Sequence, residues 1–255
     1  RVDRLGYFNE VSVETPSVTG TTDQVDVNLS VVEKPTGNIL LGAGFGSDEG
    51  VTLSGSIAQQ NIFGSGKYVA VQVNTSKVNT TYALSYTDPY FTVDGISQGF
   101  DVYSREIDGS QAGTGRYVTK TLGGGIRFSV PVTEMDTISY GLAYENTDIP
   151  IFPDSPLVYQ DYVRTFGNEN DAIVLTAGWR RDGRDSLIYP TQGTYQRVIA
   201  EVGLPGASLQ YYKLNYQYQR YFPLTRHYTL MLNGEAGYGD GTNDLPLPFF
   251  KNFYA

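Results

Sequence analysis

The 255-residue sequence contains no cysteine and only one histidine. Disulfide bonds and thiolate metal sites are therefore excluded, and cysteine pairing gives no information on the redox compartment. Charged residues make up 18% of the chain, below the roughly 25% of typical soluble domains. The net charge is −9 and no cluster of lysine and arginine is present, which argues against nucleic acid as a partner.

Long apolar segments are also missing. No run of about 18 apolar residues occurs, which excludes a transmembrane helix, and Arg1 opens no signal-peptide pattern. A transmembrane β-barrel is still allowed, because it crosses the bilayer with segments of about ten alternating residues. The chain is instead rich in glycine and tyrosine, with 29 and 21 residues.

Residues 51–73, VTLSGSIAQQNIFGSGKYVAVQV, show this alternation on both sides of a glycine-bracketed turn. Successive strand side chains point to opposite faces, so each half has one apolar and one polar face. The pattern predicts an antiparallel hairpin. A soluble β-sandwich shows the same alternation, so the hairpin alone does not identify the solvent on its apolar side.

Pro35 and Gly37 mark a boundary in the chain. Residues 1–36 have the pattern of a fragment of a small α/β module: a helix end, a strand near 11–15, a turn and a strand at 24–33. The alternation beyond the boundary predicts about eleven strands, and residues 147–170 are expected to form a long irregular loop. The strands are expected at 38–47, 50–60, 66–77, 80–88, 96–106, 117–130, 135–146, 172–182, 194–204, 209–221 and 227–238.

The positions of the charged residues within these strands indicate which solvent each face meets. Six lie on the polar face: Arg127, Glu145, Arg180, Arg197, Lys213 and Glu235. Four have apolar-face parity but lie at or near strand ends, where a charge can reach the interface: Lys67, Lys77, Glu106 and Lys120. An arginine or lysine on a lipid-facing midplane costs about 2 to 4 kcal/mol. A packed core also excludes charge, but this polar face is dominated by Gly, Ser, Thr, Asn and Gln rather than by Lys and Glu.

The pattern therefore predicts an all-β fold, a transmembrane antiparallel β-barrel with its apolar side chains toward lipid. Seven residues are expected to point outward: Leu53, Val71, Leu122, Leu142, Leu175, Val198 and Leu232. Six are expected to point inward: Thr52, Gln72, Arg127, Glu145, Arg197 and Lys213. We expect an open curved sheet of about ten to twelve strands, with the edge at 227–238 unpaired.

Candidate chemical sites favour structural interpretations. His227 has no accompanying nucleophile motif, so an interfacial histidine is favoured over a catalytic base. GAGFGS at 42–47 lacks the helix that follows a nucleotide-binding loop. DGRD at 182–185 and DGTND at 240–244 lack calcium-loop spacing, and Asx-Gly turns explain both. No enzyme, cofactor or metal site is predicted.

Several segments, in order along the chain, carry a family resemblance. They are LGYFNEV at 5–11, TDQVDVNLSVVEKPTG at 22–37, QQNIFGSGKYV at 59–69, SYTDPYFT at 85–92, WRRDGRD at 179–185 with YPTQGT at 189–194, and LPFFKNFYA at 247–255, in which Pro248 holds the second place. Together they resemble the outer-membrane protein 85 superfamily, and within it the barrel-assembly factors of Gram-negative bacteria. Their collinear order is more specific than any one motif.

The resemblance implies two parts: residues 1–36 as the C-terminal part of the last periplasmic POTRA domain, and residues 37–255 as the first part of a sixteen-stranded barrel. The second part ends at the start of extracellular loop 6. The earlier POTRA domains, a Val-Arg-Gly-Phe motif and the final strands are then expected outside this chain. Family signature positions are Asp88, Pro89, Tyr90, Phe91, Trp179, Asp182, Asp185, Phe249, Phe250, Asn252 and Phe253.

The function that the resemblance implies is insertion of β-barrel proteins into the bacterial outer membrane. Implied partners are unfolded outer-membrane proteins as substrates, accessory lipoproteins and outer-membrane lipid. A transporter of the same superfamily, either a two-partner secretion pore or a translocation and assembly module, is the alternative. A passive porin is the third hypothesis, and the POTRA-like segment disfavours it.

The first barrel strand is the expected site of the assembly function. If it pairs poorly with the last strand, its free N–H and C=O groups can template an incoming strand. Gly42, Gly44 and Gly46 share one face and remove side-chain packing from it, which is consistent with a weak seam. The expected seam residues are Ile39, Leu40, Leu41, Gly42, Ala43, Gly44 and Phe45.

Overall fold

The computed structural model describes residues 8–18, 20, 24–33, 35–47, 49–110, 117–186, 189–225, 228–242 and 245–253. Near the start of the chain, β1 (Phe8–Glu14) and β2 (Asn28–Glu33) form a two-stranded antiparallel sheet. A bridge between Ser17 and Val25 continues this hairpin toward its turn. Both strands of the predicted α/β fragment are present, and its helix end lies outside the described residues.

An eleven-stranded antiparallel sheet forms the rest of the fold, in which each strand pairs with the next along the chain. The strands are β3 (Gly37–Gly46), β4 (Gly50–Gln59), β5 (Tyr68–Thr75), β6 (Asn79–Asp88), β7 (Ser97–Asp108), β8 (Val118–Pro131), β9 (Asp136–Asp148), β10 (Glu169–Asp182), β11 (Gly193–Gly203), β12 (Tyr211–Pro223) and β13 (Thr229–Gly241). The sheet is open, with β3 and β13 at its edges. The eleven predicted strands are confirmed, and the last edge lies at 229–241 rather than at 227–238.

The segment at 147–170 is not the irregular loop that the sequence predicts. Strand β9 continues to Asp148, β10 begins at Glu169, and helix α1 (Leu157–Phe166) lies between them. The prolines of IPIFPDSP led to the prediction of a loop, because the helical spacing of apolar residues begins only after Pro156. Its stabilising partner is distant in sequence: the ring of Tyr159 lies 4.5 Å from that of Phe249. Across the described ranges, no helix has the length and apolarity needed to span a bilayer.

The strand register confirms that apolar and polar side chains separate onto two faces. Leu84 lies opposite Val71 on one side and Val102 on the other. Its neighbour Ala83 lies opposite Gln72 and Tyr103. We call the first side the apolar face and the second the polar face. All residues expected outward lie on the apolar face, and all those expected inward lie on the polar face.

The apolar face is open to the surroundings. Six of its predicted lipid-facing side chains are between 43% and 60% exposed: Leu53, Val71, Leu122, Leu142, Leu175 and Leu232. A soluble barrel would bury these residues, whereas a barrel wall in lipid presents them outward. The small cluster of buried residues instead lies on the polar side, where Leu247 and Phe250 pack against Val174 and Tyr211.

Charges with apolar-face parity lie near strand ends, as the sequence predicts. Glu106 and Lys120 face each other near the ends of β7 and β8, with 3.5 Å between Lys120 Nζ and the Glu106 carboxylate. Lys67 immediately precedes β5 and lies 3.3 Å from Asp88 at the end of β6. These positions let a long side chain reach water at the edge of a bilayer.

A matched pair of arginine substitutions in β6 tests the assignment of the two faces. In lipid vesicles, Leu84→Arg should destabilise the full-length protein by about 2 to 4 kcal/mol, because it places a cation in hydrocarbon. Ala83→Arg, one residue away on the polar face, should cost clearly less. Urea unfolding measures both. Equal costs would contradict a membrane wall with its apolar face toward lipid.

Candidate functional site

Strand β3 is an edge strand whose side chains are almost entirely exposed. Leu41 is 85% exposed and Phe45 is 82% exposed. The strand pairs with β4 over its whole length, and within the described residues it pairs with no other strand. In an antiparallel edge strand, alternate backbone N–H and C=O groups point away from the only neighbour. The site can therefore recognise another strand through its backbone.

The polar face of β3 has little side-chain packing. Gly42 lies opposite Ser54, and Gly44 lies opposite Thr52. A methyl group added at Gly44 would meet no atom within 4 Å. The register confirms the predicted placement of the glycines on one face. Hydrogen bonds and the apolar side chains of the other face therefore hold β3 to the sheet.

The signature residues from Asp88 to Phe91 stabilise the turn after β6. The Asp88 carboxylate accepts the backbone N–H of Tyr90 at 3.1 Å and forms an ion pair with Lys67 at 3.3 Å. Pro89 follows the last residue of β6 and supplies no ladder donor. The Phe91 ring packs edge-on against Phe128, with 6.2 Å between centroids. These contacts explain the motif as a structural turn.

The signature residues around 179–185 stabilise the end of β10. Trp179 Nε1 donates to Asp136 at 3.2 Å. Both oxygens of Asp182 accept from Arg184, at 2.8 Å from Nε and 2.7 Å from a terminal guanidinium nitrogen. The backbone N–H of Arg184 also donates to Asp182 Oδ1 at 3.3 Å, which confirms the Asx-turn interpretation of this segment.

Asp185 holds the other side of the same turn. Its carboxylate accepts the Thr191 hydroxyl at 2.5 Å and the Thr191 backbone N–H at 2.9 Å. These hydrogen bonds lower the pKa of Asp185 to about 2. A depressed pKa stabilises the turn above the usual aspartate pKa of about 3.9, and this contribution is lost as the pH falls toward 2.

Two further candidates lie partly or wholly outside the described residues. Asp240 Oδ1 accepts the N–H of Gly241 at 2.8 Å at the end of β13, and residues 243–244 of DGTND lie outside the described residues. His227 also lies outside them. In the ranges that the structure describes, no three His, Asp or Glu side chains are grouped to hold a metal ion.

Residues 245–253, which we call the C-terminal segment, cross the polar face at the opposite end of the sheet from these turns. Phe249 is surrounded by Tyr117, Tyr159 and Tyr162, with centroid distances of 5.8, 4.5 and 5.3 Å. Burial among these rings raises the pKa of Tyr162 to about 12. Phe250 packs on the buried cluster, and Asn252 donates its backbone N–H to the carbonyl of Phe249 at 3.3 Å.

Phe253 is held by a close approach to the sheet. A Cβ atom at Gly237 would lie 2.5 Å from the Phe253 ring, so a side chain at this position of β13 would displace the ring. The ammonium group of Lys213 lies 4.4 Å from the centroid of the same ring. A missing side chain and a cation–π contact therefore position Phe253.

Lys251 makes the ion pairs of the C-terminal segment, and no local pattern in the sequence marks it. Its Nζ lies 2.5 Å from Glu145 on β9 and 3.8 Å from Glu201 on β11. The side chains of Lys251 and Glu145 are each only 16% exposed. The sequence predicts Glu145 on the polar face, but it does not predict the partner Lys251, which is 106 residues away.

Two tyrosines complete this ion pair. The Tyr103 hydroxyl donates to Glu145, and the Tyr211 hydroxyl donates to Glu201. Tyr103 reaches Glu145 across β8 because the residue between them is Gly123, where a Cβ would lie 2.5 Å from the tyrosine ring. We call these five side chains the lysine network: Lys251, Glu145, Glu201, Tyr103 and Tyr211. It ties the C-terminal segment to four strands.

The predicted site residues therefore lie in three separate places. Ile39, Leu40, Leu41, Gly42, Ala43, Gly44 and Phe45 lie on the free edge. Asp88, Pro89, Tyr90, Phe91, Trp179, Asp182 and Asp185 lie at or beside turns that follow β6 and β10. Phe249, Phe250, Asn252 and Phe253 lie in the C-terminal segment, at the other end of the sheet.

Comparison with known proteins adds a family match. The Omp85 superfamily domain matches residues 61–255. The outer membrane protein assembly factor BamA of Neisseria meningitidis serogroup B is 40% identical, and the alignment covers 100% of this chain and 33% of that protein. The protein of the same name from Nitratidesulfovibrio vulgaris is 29% identical, with coverage of 100% and 31%.

A solved structure shows the same fold. The crystal structure of BamA from Haemophilus ducreyi lacking POTRA domains 1–3 superimposes with a TM-score of 0.83 at 26% identity. The superposition covers 100% of this chain and 51% of that one. The chain thus spans about a third of the length of the curated relatives and about half of the solved chain.

Replacing Lys251 tests the lysine network. Lys251→Met should destabilise the full-length protein by about 2 to 4 kcal/mol, because it leaves two carboxylates on the polar face without their cation. Lys251→Arg should retain most of the stability. The matched control Lys120→Met removes an exposed pair and should cost less than about 1 kcal/mol.

Urea unfolding and limited proteolysis of the C-terminal segment provide the measurements. Cleavage within residues 245–253 should accelerate for Lys251→Met and not for Lys120→Met. Equal stability and equal cleavage rates for these two variants would show that Lys251 does not hold the segment.

Proposed function

Because this chain belongs to the Omp85 superfamily, we propose that it forms part of a machine that folds and inserts β-barrel proteins into the bacterial outer membrane. The resemblance noted in the sequence is confirmed by the family match. Full-chain similarity to two proteins named as outer membrane protein assembly factors supports the assembly function. The chain covers only part of those proteins, so the activity is assigned to the full-length protein.

The proposed division of the chain follows the two sheets. Residues 1–36 are the C-terminal part of the last POTRA domain, located in the periplasm. Residues 37–255 are the first part of the barrel and end at the start of extracellular loop 6. The separation of the β1–β2 hairpin from the eleven-stranded sheet supports this division.

The polar face of β3, where Gly42, Gly44 and Gly46 carry no side chain, is the observation that carries the assembly mechanism. A closed barrel pairs all its backbone groups, so a template for a new strand requires a seam that opens. Strand β3 has an exposed apolar face and a polar face poor in side-chain contacts. Few side-chain contacts then resist separation of the seam, and an incoming strand can add to the freed backbone by β-augmentation.

The mechanism needs no cofactor and no proton transfer. The seam residues Ile39, Leu40, Leu41, Gly42, Ala43, Gly44 and Phe45 present backbone donors and acceptors. Unfolded outer-membrane proteins are the proposed substrates, because their strands have the matching unpaired groups. Accessory lipoproteins and outer-membrane lipid are the other proposed partners.

A disulfide across the seam tests edge templating. In full-length protein reconstituted into liposomes, Leu41→Cys or Ala43→Cys is cross-linked to a cysteine on the last barrel strand. Insertion of an unfolded barrel substrate should stop, because a locked ladder offers no free backbone groups. Reduction should restore it. Protease protection of the substrate measures insertion.

The matched control is a disulfide inside the wall, from Leu84→Cys to Val102→Cys, two residues that are directly opposite each other in β6 and β7. This cross-link joins strands that are already paired, so insertion should continue. Full insertion with the seam locked would contradict edge templating. Secretion of one dedicated partner protein under the same conditions would instead identify a transporter.

A further inference from the structure

Two arginines face each other on the polar face, and neither makes a close ion pair with a carboxylate of the described residues. Arg180 on β10 lies directly opposite Arg197 on β11. Like charges at directly opposed positions destabilise a sheet. Among the described residues, neither guanidinium forms an ion pair with a carboxylate. Asp182, two residues along β10 from Arg180, binds Arg184 with both of its oxygens.

Other cations on this face are matched by a partner. Arg127 binds Asp101, and Lys251 binds Glu145. Lys213 lies over the ring of Phe253. The chain as a whole carries a net charge of −9, so two directly opposed arginines without an ion pair are unusual. Residues that reduce stability in this way are expected where function requires them.

The two arginines line a cavity with the composition of an anion site. The cavity has a volume of about 620 Å³. Its walls also carry the hydroxyl groups of Ser97, Ser129 and Ser139, and no carboxylate lines it. At Gly178 a Cβ would lie 2.5 Å from Ser139 Oγ, so the absence of a side chain leaves space beside the arginines.

We propose that Arg180 and Arg197 form an anion-binding site that takes a carboxylate or phosphate group. Guanidinium groups present planar pairs of N–H donors that match the oxygens of both anions. Serine hydroxyls can donate to the remaining oxygens. The site lies on the polar face, so its ligand arrives through water and not from the acyl chains. Binding of an anion would remove the repulsion between the arginines.

A fluorine probe in the cavity measures binding directly. Full-length protein without other cysteines, in lipid nanodiscs, carries Thr137→Cys on the cavity wall, labelled with a trifluoromethyl group. Sodium acetate and sodium phosphate are titrated separately, with sodium chloride holding ionic strength constant. We expect a saturable ¹⁹F shift with at least one of them. A response to acetate alone identifies a carboxylate ligand, and a response to phosphate alone identifies a phosphate ligand.

The double variant Arg180→Gln/Arg197→Gln should weaken binding by about tenfold or more, because charge-assisted hydrogen bonds from both guanidinium groups are lost. The control Arg164→Gln/Arg181→Gln removes the same charge elsewhere. Arg164 lies on α1 beside Asp161, and Arg181 lies on the apolar face beside Asp136. Binding should be unchanged in the control.

A carboxylate from the remainder of the full-length chain can occupy the site permanently. The wild-type protein would then show no shift, and Arg180→Gln/Arg197→Gln would lower the urea unfolding midpoint more than the control does. If no carboxylate occupied the site, removing the two like charges would instead leave the unfolding midpoint unchanged or raise it. The proposal is overturned if the double variant binds as the wild type does, or if no shift occurs and its midpoint is not lower than that of the control. Neither the fluorine shift nor the unfolding midpoint measures insertion, so these tests are independent of the proposed function.

Discussion

A backbone N–H or C=O group without a partner costs several kcal/mol in hydrocarbon, and the structure depends on this constraint. Antiparallel pairing from β3 to β13 provides partners for the backbone of each interior strand. The alternating side chains then meet lipid on one face and water on the other. The same constraint applies to β3 and β13, the edges of the sheet, whose outward backbone groups have no strand partner among the described residues.

The two ends of the sheet are organised differently. At one end, Asp88, Asp182 and Asp185 accept hydrogen bonds within their own turns, which fix local chain direction, and Asp88 also pairs with Lys67 before β5. At the other end, α1 and the C-terminal segment lie over the polar face and join elements far apart in sequence. Among the described residues, the C-terminal segment is tied to interior strands at one end of the sheet and not to β3. This arrangement leaves strand exchange to the edge, which is consistent with templating at β3.

Charge on the polar face is distributed in two ways. Around Lys251, carboxylates, tyrosines and a cation satisfy one another, and the segment they hold is packed by aromatic rings. Around Arg180 and Arg197, two cations stand together beside a cavity. The first arrangement stabilises the fold, and the second has the features of a binding site. Both groups of charged residues lie on the polar face.

The sequence by itself determined the eleven strands and the two faces, because strand alternation and turn chemistry are local properties of the chain, and its collinear motifs carried the family resemblance. It also predicted the proposed seam at 39–45, since the glycines of 42–46 are visible without coordinates. Only the tertiary structure decided that 157–166 is a helix, that Lys251 pairs with Glu145, and that Arg180 opposes Arg197 without a carboxylate. Those features depend on contacts between distant segments and on strand register, which local alternation does not specify.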